Sequence, residues 1–253
     1  MSKVKNAVPS FAGIFLSVLR DALVLQLSTD ELKELVGQTS CQNSSGQKYS
    51  FAVQSILEMG RAWDDQAIYQ QFELDWSALG PIGFISERAS NLLDQLGQGW
   101  ANGQISIATE HFISRILEKF LIEKWTLKNA KNGNRKLLLS SLDGEGHAFG
   151  LHFCAVATVV SGAKVVFLGP STPEADIVSA AQSSECFGVC LSVSRHYDSN
   201  LAVKKIRYIR KHLPPTIHLI VGGAGAPVGI QGVLAMTGCQ ALYDWLSSEK
   251  GSP

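Results

Sequence analysis

The chain has 253 residues, 45% of them apolar, and its 22 lysines and arginines are balanced by 22 aspartates and glutamates. That length and apolar content suit two small domains with real cores, and the balanced charge removes the overall field that draws basic proteins to nucleic acid or anionic membranes. No stretch reaches the roughly 18 uncharged apolar residues of a membrane span, so a cytoplasmic protein with no membrane partner is expected.

At the N-terminus, Phe11 to Leu19 is apolar and follows Lys3 and Lys5, as in a signal peptide, but Arg20 and Asp21 end the run. Phe11, Ile14, Phe15, Val18, Leu19 and Ala22 recur at helical spacing, and Ser28-Thr29-Asp30 opens a second segment through Leu32, Leu35 and Val36. Gly37 to Ser50 is rich in Asn, Ser, Gln and Gly and reads as a linker, so residues 1–48 form an N-terminal helical segment and its connection.

From Phe51 to about Lys128 the pattern is helical, with breaks at Leu79-Gly80-Pro81 and Ala101-Asn102-Gly103. Ile56 and Leu57 begin one helical unit; Ile68, Phe72 and Leu74 fill a second; Ile85, Leu92, Leu93 and Leu96 a third; Ile107, Phe112, Ile116, Leu117, Phe120 and Leu121 a fourth. Four helices with short connections predict a four-helix bundle over 49–130.

Beyond Asn129 strands alternate with helices. Lys136 to Leu142, Ala163 to Leu168, Phe187 to Ser192 and Ile217 to Val221 are strand candidates; His147 to Val160, Pro173 to Gln182 and Leu201 to His212 are helical; a last helix and a short strand at Gln240 to Leu242 close the chain. Right-handed parallel crossovers make this an α/β domain over 135–250, with a Rossmann-like or flavodoxin-like sheet of about five strands. The five cysteines, Cys41, Cys154, Cys186, Cys190 and Cys239, include no Cys-x-x-Cys pair and sit mostly in apolar runs, which fits buried free thiols in a reducing compartment.

The first strand ends in a loop with Glu145, His147 and Gly150. A histidine at such a rim can offer a ring nitrogen to a metal while a carboxylate holds its other N–H, and Gly150 permits close approach of a bulky group. It can equally be a solvated or capping residue. One candidate ligand is too few for a zinc site, but it suits a macrocycle with its own equatorial donors, a corrin or a haem. Ser192 and Gly222-Gly223 follow neighbouring strands at the same edge, where small residues leave a slot or merely turn the chain. Gly222 to Gly225 is no phosphate loop, because no Lys-Ser or Lys-Thr follows, and no Ser-His-Asp or paired-carboxylate set suggests an enzyme.

The runs EGHAFG, GAKVVFLGPSTP, VCLSVS and LIVGGAGAP resemble the cobalamin-binding domain family, whose usual loop is Asp-x-His-x-x-Gly. The resemblance implies His147 as lower axial ligand of cobalt, Glu145 in place of the usual Asp, and Ser192, Gly222 and Gly223 around the nucleotide tail. Trp100 followed by Glu110-His111, a Trp-x9-Glu-His pattern, looks like the cap of light-sensing cobalamin regulators of the CarH and LitR type, in which the tryptophan and glutamate cover the corrin's upper face. Asn102-Gly103 would end one helix and Ser106 cap the next, bringing Trp100 and Glu110 to one junction, with Glu110 and His111 at otherwise core positions of an apolar helix. Ala101 stands where some of these photoreceptors carry a cobalt-capturing histidine, leaving His111 or His196 as candidates.

Residues 1 to 48 show no recognition helix and no basic cluster, so direct DNA binding is not expected. In this the arrangement resembles the AerR and PpaA proteins, which act on a repressor. The implied function is a cobalamin-dependent light sensor, holding adenosylcobalamin or hydroxocobalamin and regulating transcription as an antirepressor through a partner protein. The alternatives are a corrinoid methyl carrier of a methyltransferase system and a haem-binding sensor on the same fold. The helix Leu201 to His212, with Lys204, Lys205, Arg207, Arg210 and Lys211, is expected to be a solvated basic face.

Overall fold

The structure, a computed structural model, describes residues 40–42, 48–129, 131 and 133–248. The helices expected within 10–36 lie outside them. Part of the expected linker is instead a small antiparallel pair, β1 (Ser40–Gln42) with β2 (Lys48–Ser50).

Four α-helices follow: α1 (Phe51–Arg61), α2 (Asp65–Gly83), α3 (Ser90–Ala101) and α4 (Ile107–Asn129), with a π-helical segment, Phe84–Ala89, between α2 and α3. The expected break at Gly80-Pro81 is a kink inside α2, where Gly80 takes φ 70° and Pro81 has no N–H to continue the ladder. By packing the chain divides into two compact units, 1–80 with 87–116 and 81–86 with 117–253.

In the first unit Ile56, Leu57, Ile68, Phe72, Leu92, Leu96 and Ile113 are buried. Buried with them is Asp75, 3.3 Å from Arg88 and accepting a 3.0 Å bond from Gln71. Burial raises its pKa against the pull of Arg88 and Gln71. The turn between α3 and α4 forms as the sequence suggests: Gly103 takes φ 70° past the Asn102 cap, and the Ser106 hydroxyl accepts a 3.1 Å bond from the Thr109 N–H.

The second unit is an α/β domain: β3 (Lys136–Leu142), α5 (Phe149–Val160), β4 (Lys164–Thr172), α6 (Glu174–Ser183), β5 (Gly188–Ser192), α7 (Ser199–His212), β6 (His218–Gly222), β7 (Leu234–Met236) and α8 (Cys239–Ser247). The parallel sheet has order β4-β3-β5-β6-β7. β3 is buried over 137–142, as an apolar central strand covered on both faces must be. Its side chains alternate: Leu138 and Leu142 join a core with residues of α6 and α7, Leu137 and Leu139 one with residues of α5 and α8.

One expected element is wrong. Gln240 to Leu242 is helical, because Leu242 and Leu246, four apart, are the buried positions of α8; the fifth strand is Leu234–Met236, in register with Ile220 to Gly222. The sheet order places the neighbours β3 and β5 at the switch point, where successive crossovers leave to opposite sides and ligands of such sheets bind.

Candidate functional site

At that switch point the register fixes a row of small residues along the C-terminal rim. Ser141 lies opposite Ser192, Ser192 opposite Gly222, and Gly222 opposite Met236. The loop after β3 rises from this row. Glu145 N–H donates to the Leu142 carbonyl at 2.8 Å, and the Ser141 hydroxyl donates to the Glu145 carbonyl at 2.7 Å while accepting the Ser171 N–H at 2.9 Å.

The Glu145 side chain turns inward and is 2% exposed. One carboxylate oxygen accepts the His147 N–H at 3.0 Å and pairs with His147 Nδ1 at 2.6 Å; the other accepts the Ser194 N–H at 2.9 Å. Burial pushes this carboxyl up, but the hydrogen bonds from His147 and Ser194 outweigh it and hold the pKa at about 2. A carboxylate fixed in its charged form makes Nδ1 the donor, so Nε2 carries the lone pair. The imidazole is 61% exposed and stacks on His196 at 5.6 Å between centroids. His147 precedes α5 rather than beginning it.

Gly150 and Ser192 are also brought together. A methyl group at Gly150 would overlap the Ser192 hydroxyl, so the first turn of α5 lies against the end of β5 with nothing between. The diglycine divides. Gly223, at φ 100°, has the Val193 carbonyl where a Cβ would stand; a Cβ on Gly222 would meet only Met236, at an ordinary 3.6 Å.

In the first unit Trp100 is 54% exposed. Glu110 pairs with His111 and accepts a 2.7 Å bond from Ser114. These two are not core positions as expected: their side chains are 26% and 72% exposed, because the buried stripe of α4 runs through Thr109, Ile113, Leu117, Phe120 and Leu121. The basic helix α7 is only partly a solvated face. Arg210 donates to the carbonyls of Ile217, Leu213 and Pro214, and Lys205 pairs with Glu174 at 2.9 Å and Asp143 at 3.4 Å.

Several contributors have little or no sequence signature. Ser194 acts through its main chain, and Tyr197 and Lys205 tie the loop by donating to the Asp143 carbonyl at 2.7 and 2.8 Å. Ser141, a buried polar residue ending an apolar strand, did carry a signal, since such a hydroxyl needs partners. Of the cysteines expected as buried free thiols, Cys186 and Cys190 are buried while Cys154 and Cys239 are half-buried, and Cys154 lies 3.9 Å from Cys190.

Among the described residues no group of three or more His, Cys, Asp or Glu could hold a bare metal ion, and no helix is long and apolar enough to cross a membrane. A single oriented imidazole, backed by a buried carboxylate, fits a metal already held in a macrocycle.

No family model matches the chain. It is 25% identical over 205 residues to the HTH-type transcriptional repressor CarH of Myxococcus xanthus, a match covering 81% of this chain and 68% of the repressor. The fold is that of the monomethylamine corrinoid protein of Methanosarcina barkeri, with a TM-score of 0.56 at 16% identity, covering 77% of this chain and 98% of the other. Sequence and fold together relate the chain to the cobalamin-binding, CarH-like proteins.

Proposed function

We propose that this chain is a cobalamin-dependent light sensor that regulates transcription through a partner protein, with His147 as the lower ligand of cobalt. The observation that carries the reading is the Glu145–His147 pair, in which a buried carboxylate orients an exposed imidazole with Nε2 open at the sheet's switch point. Ser192, Gly222 and Gly223, at the adjoining C-terminal ends of β5 and β6, are the residues proposed for the nucleotide tail, and Gly150 brings the start of α5 against Ser192. Trp100 and Glu110, at the α3–α4 turn, are the residues proposed for the upper side. The bound group would supply a light-sensitive bond between cobalt and its upper ligand. The protein's own part is to hold the lower face at His147 Nε2, with the proton kept on Nδ1 by Glu145.

The repressor relative supports a role in transcription. Action as an antirepressor on a partner protein is the finer part of this proposal. The protein is tested by adding adenosylcobalamin in darkness and recording the visible spectrum before and after green light. A stable dark spectrum that changes on illumination is expected; no change overturns the light-sensing role. Mixing with a candidate repressor and with its operator DNA then separates the two modes of regulation, binding to the repressor alone being expected.

A further inference from the structure

Three cysteines meet on one face of the sheet in the second unit. Cys190 is the middle residue of β5, in one row with Leu139 and Ile220, and all three turn to the face that α5 and α8 cover. Cys154 lies in the second turn of α5 and Cys239 opens α8, and both pack against that same core. Cys190 is buried, whereas Cys154 and Cys239 are half-buried.

The three sulfurs are not equivalent. The Cys190 thiol donates to the Cys154 sulfur at 3.9 Å, and the Cys239 thiol donates to it as well. These two bonds favour the charged form of Cys154 and outweigh burial, so its pKa lies well below that of an ordinary thiol, while the two donors are pushed up. Cys186 shows what a structural thiol looks like in the same domain: buried, 3.1 Å from the Ser184 hydroxyl and raised in pKa by burial. Filling space in the core asks only for a single small apolar side chain of that kind. A half-exposed sulfur that accepts from two other thiols is instead the arrangement of a reactive cysteine with a second thiol at hand. A bare metal ion does not account for the trio, since no group of three ligands among the described residues is placed to hold one.

We infer that Cys154 is a peroxide-reactive thiol and that Cys190 resolves it into a disulfide joining α5 to β5. In the first step the Cys154 thiolate attacks one oxygen of hydrogen peroxide. An S–O bond forms as the O–O bond breaks, sulfur is oxidised by two electrons, and the departing hydroxide takes up the proton given up by the Cys154 thiol, leaving as water. In the second step the Cys190 sulfur attacks the sulfenic sulfur. An S–S bond forms, the S–O bond breaks, and the Cys190 proton leaves with the hydroxide as a second water. The sulfurs start 3.9 Å apart and close to about 2.05 Å. Gly150 precedes Cys154 by one turn and Ser192 follows Cys190 by two residues, so the bond forms one layer beneath the Gly150–Ser192 contact. The inference stands apart from the cobalamin reading.

The test exposes the full chain, reduced and freed of reductant, to hydrogen peroxide, blocks remaining thiols with an alkylating agent in denaturant, and maps unreduced peptides by mass spectrometry. Wild type should give a Cys154–Cys190 linked peptide that dithiothreitol resolves, with Cys154 consumed about tenfold or more faster than Cys186. Cys190→Ser should leave Cys154 as a sulfenic acid that dimedone labels, and Cys154→Ser should leave Cys190 alkylated. The wild-type result needs no variant, so a substitution that fails to fold does not decide the matter. Cys154 recovered fully alkylated, oxidised no faster than Cys186, or linked to a cysteine other than Cys190 overturns the inference.

Discussion

Two histidine–glutamate pairs lie close together in the second unit and are built in opposite senses. In the Glu145–His147 pair the carboxylate is buried, 2% exposed, and the imidazole is 61% exposed. In the Glu118–His152 pair, with a 3.6 Å contact, the imidazole is 5% exposed and the carboxylate 24%. His152 spends both nitrogens inside the protein: Nδ1 accepts from the Trp125 indole at 3.3 Å, Nε2 faces Glu118, and the ring stacks on Phe167 at 5.1 Å. The same two residue types therefore make a ligand site or a piece of core according to which partner is buried. A buried carboxylate exports the ring's lone pair, and a buried ring consumes it.

Four substitutions or conditions break or sharpen this contrast. His147→Ala should weaken cobalamin binding by more than about a hundredfold, beyond the roughly 10–100-fold typical of outer-shell changes, with the urea midpoint of the apoprotein unchanged. His152→Ala should do the reverse. It removes buried packing and leaves the Trp125 N–H unpaired, which costs about 2–4 kcal/mol, seen as a lower urea midpoint at constant m-value, while the folded fraction keeps its affinity. Equal effects of the two variants on both measurements would erase the distinction.

Glu145→Gln should weaken binding by about tenfold, since the amide still reaches the ring but turns a donor toward at least one of the three N–H groups that the carboxylate accepts. The smallest effect is on acid stability. His152 is held below its ordinary value by burial, against the upward pull of Glu118, and Glu145 is held at about 2 by its hydrogen bonds, which outweigh burial. In both cases the unfolded chain binds the proton first, so stability falls as pH falls. The His152 contribution is complete above the ordinary histidine pKa of about 6.5 and declines below it; that of Glu145 is complete above about 4.5 and is lost toward 2. Thermal midpoints across pH 8 to 3 should show the first decline in wild type and lack it in His152→Ala.

Much of this is legible in the sequence. The apolar run of β3 and the alternation of strands with helices pointed to a parallel sheet, and a histidine two residues after a carboxylate at a strand end marked the loop. What escaped were effects with no local pattern. Ser194 contributes a main-chain N–H, invisible to any reading of side chains. Leu242 and Leu246 revealed α8 only once the partner face existed. Glu110 and His111 read as core because α4 is apolar on average, while its buried stripe runs one position to the side. Trp63, which closes α1 at φ 58°, gave no sign of a left-handed backbone, because sequence statistics put glycine there.

The Ser141 hydroxyl, held between the Glu145 carbonyl and the Ser171 N–H, has a kinetic consequence. Together with the Ser194 N–H it braces the β3–α5 loop from both flanks before anything binds. A ring already set in place loses little rotational freedom on coordination, so no slow ordering step stands between encounter and capture. Association should then follow a single exponential whose rate grows linearly with ligand concentration, in the range of about 10⁵–10⁷ M⁻¹s⁻¹ set by diffusion and orientation. Ser141→Ala, by loosening the brace, should bend that line toward a plateau.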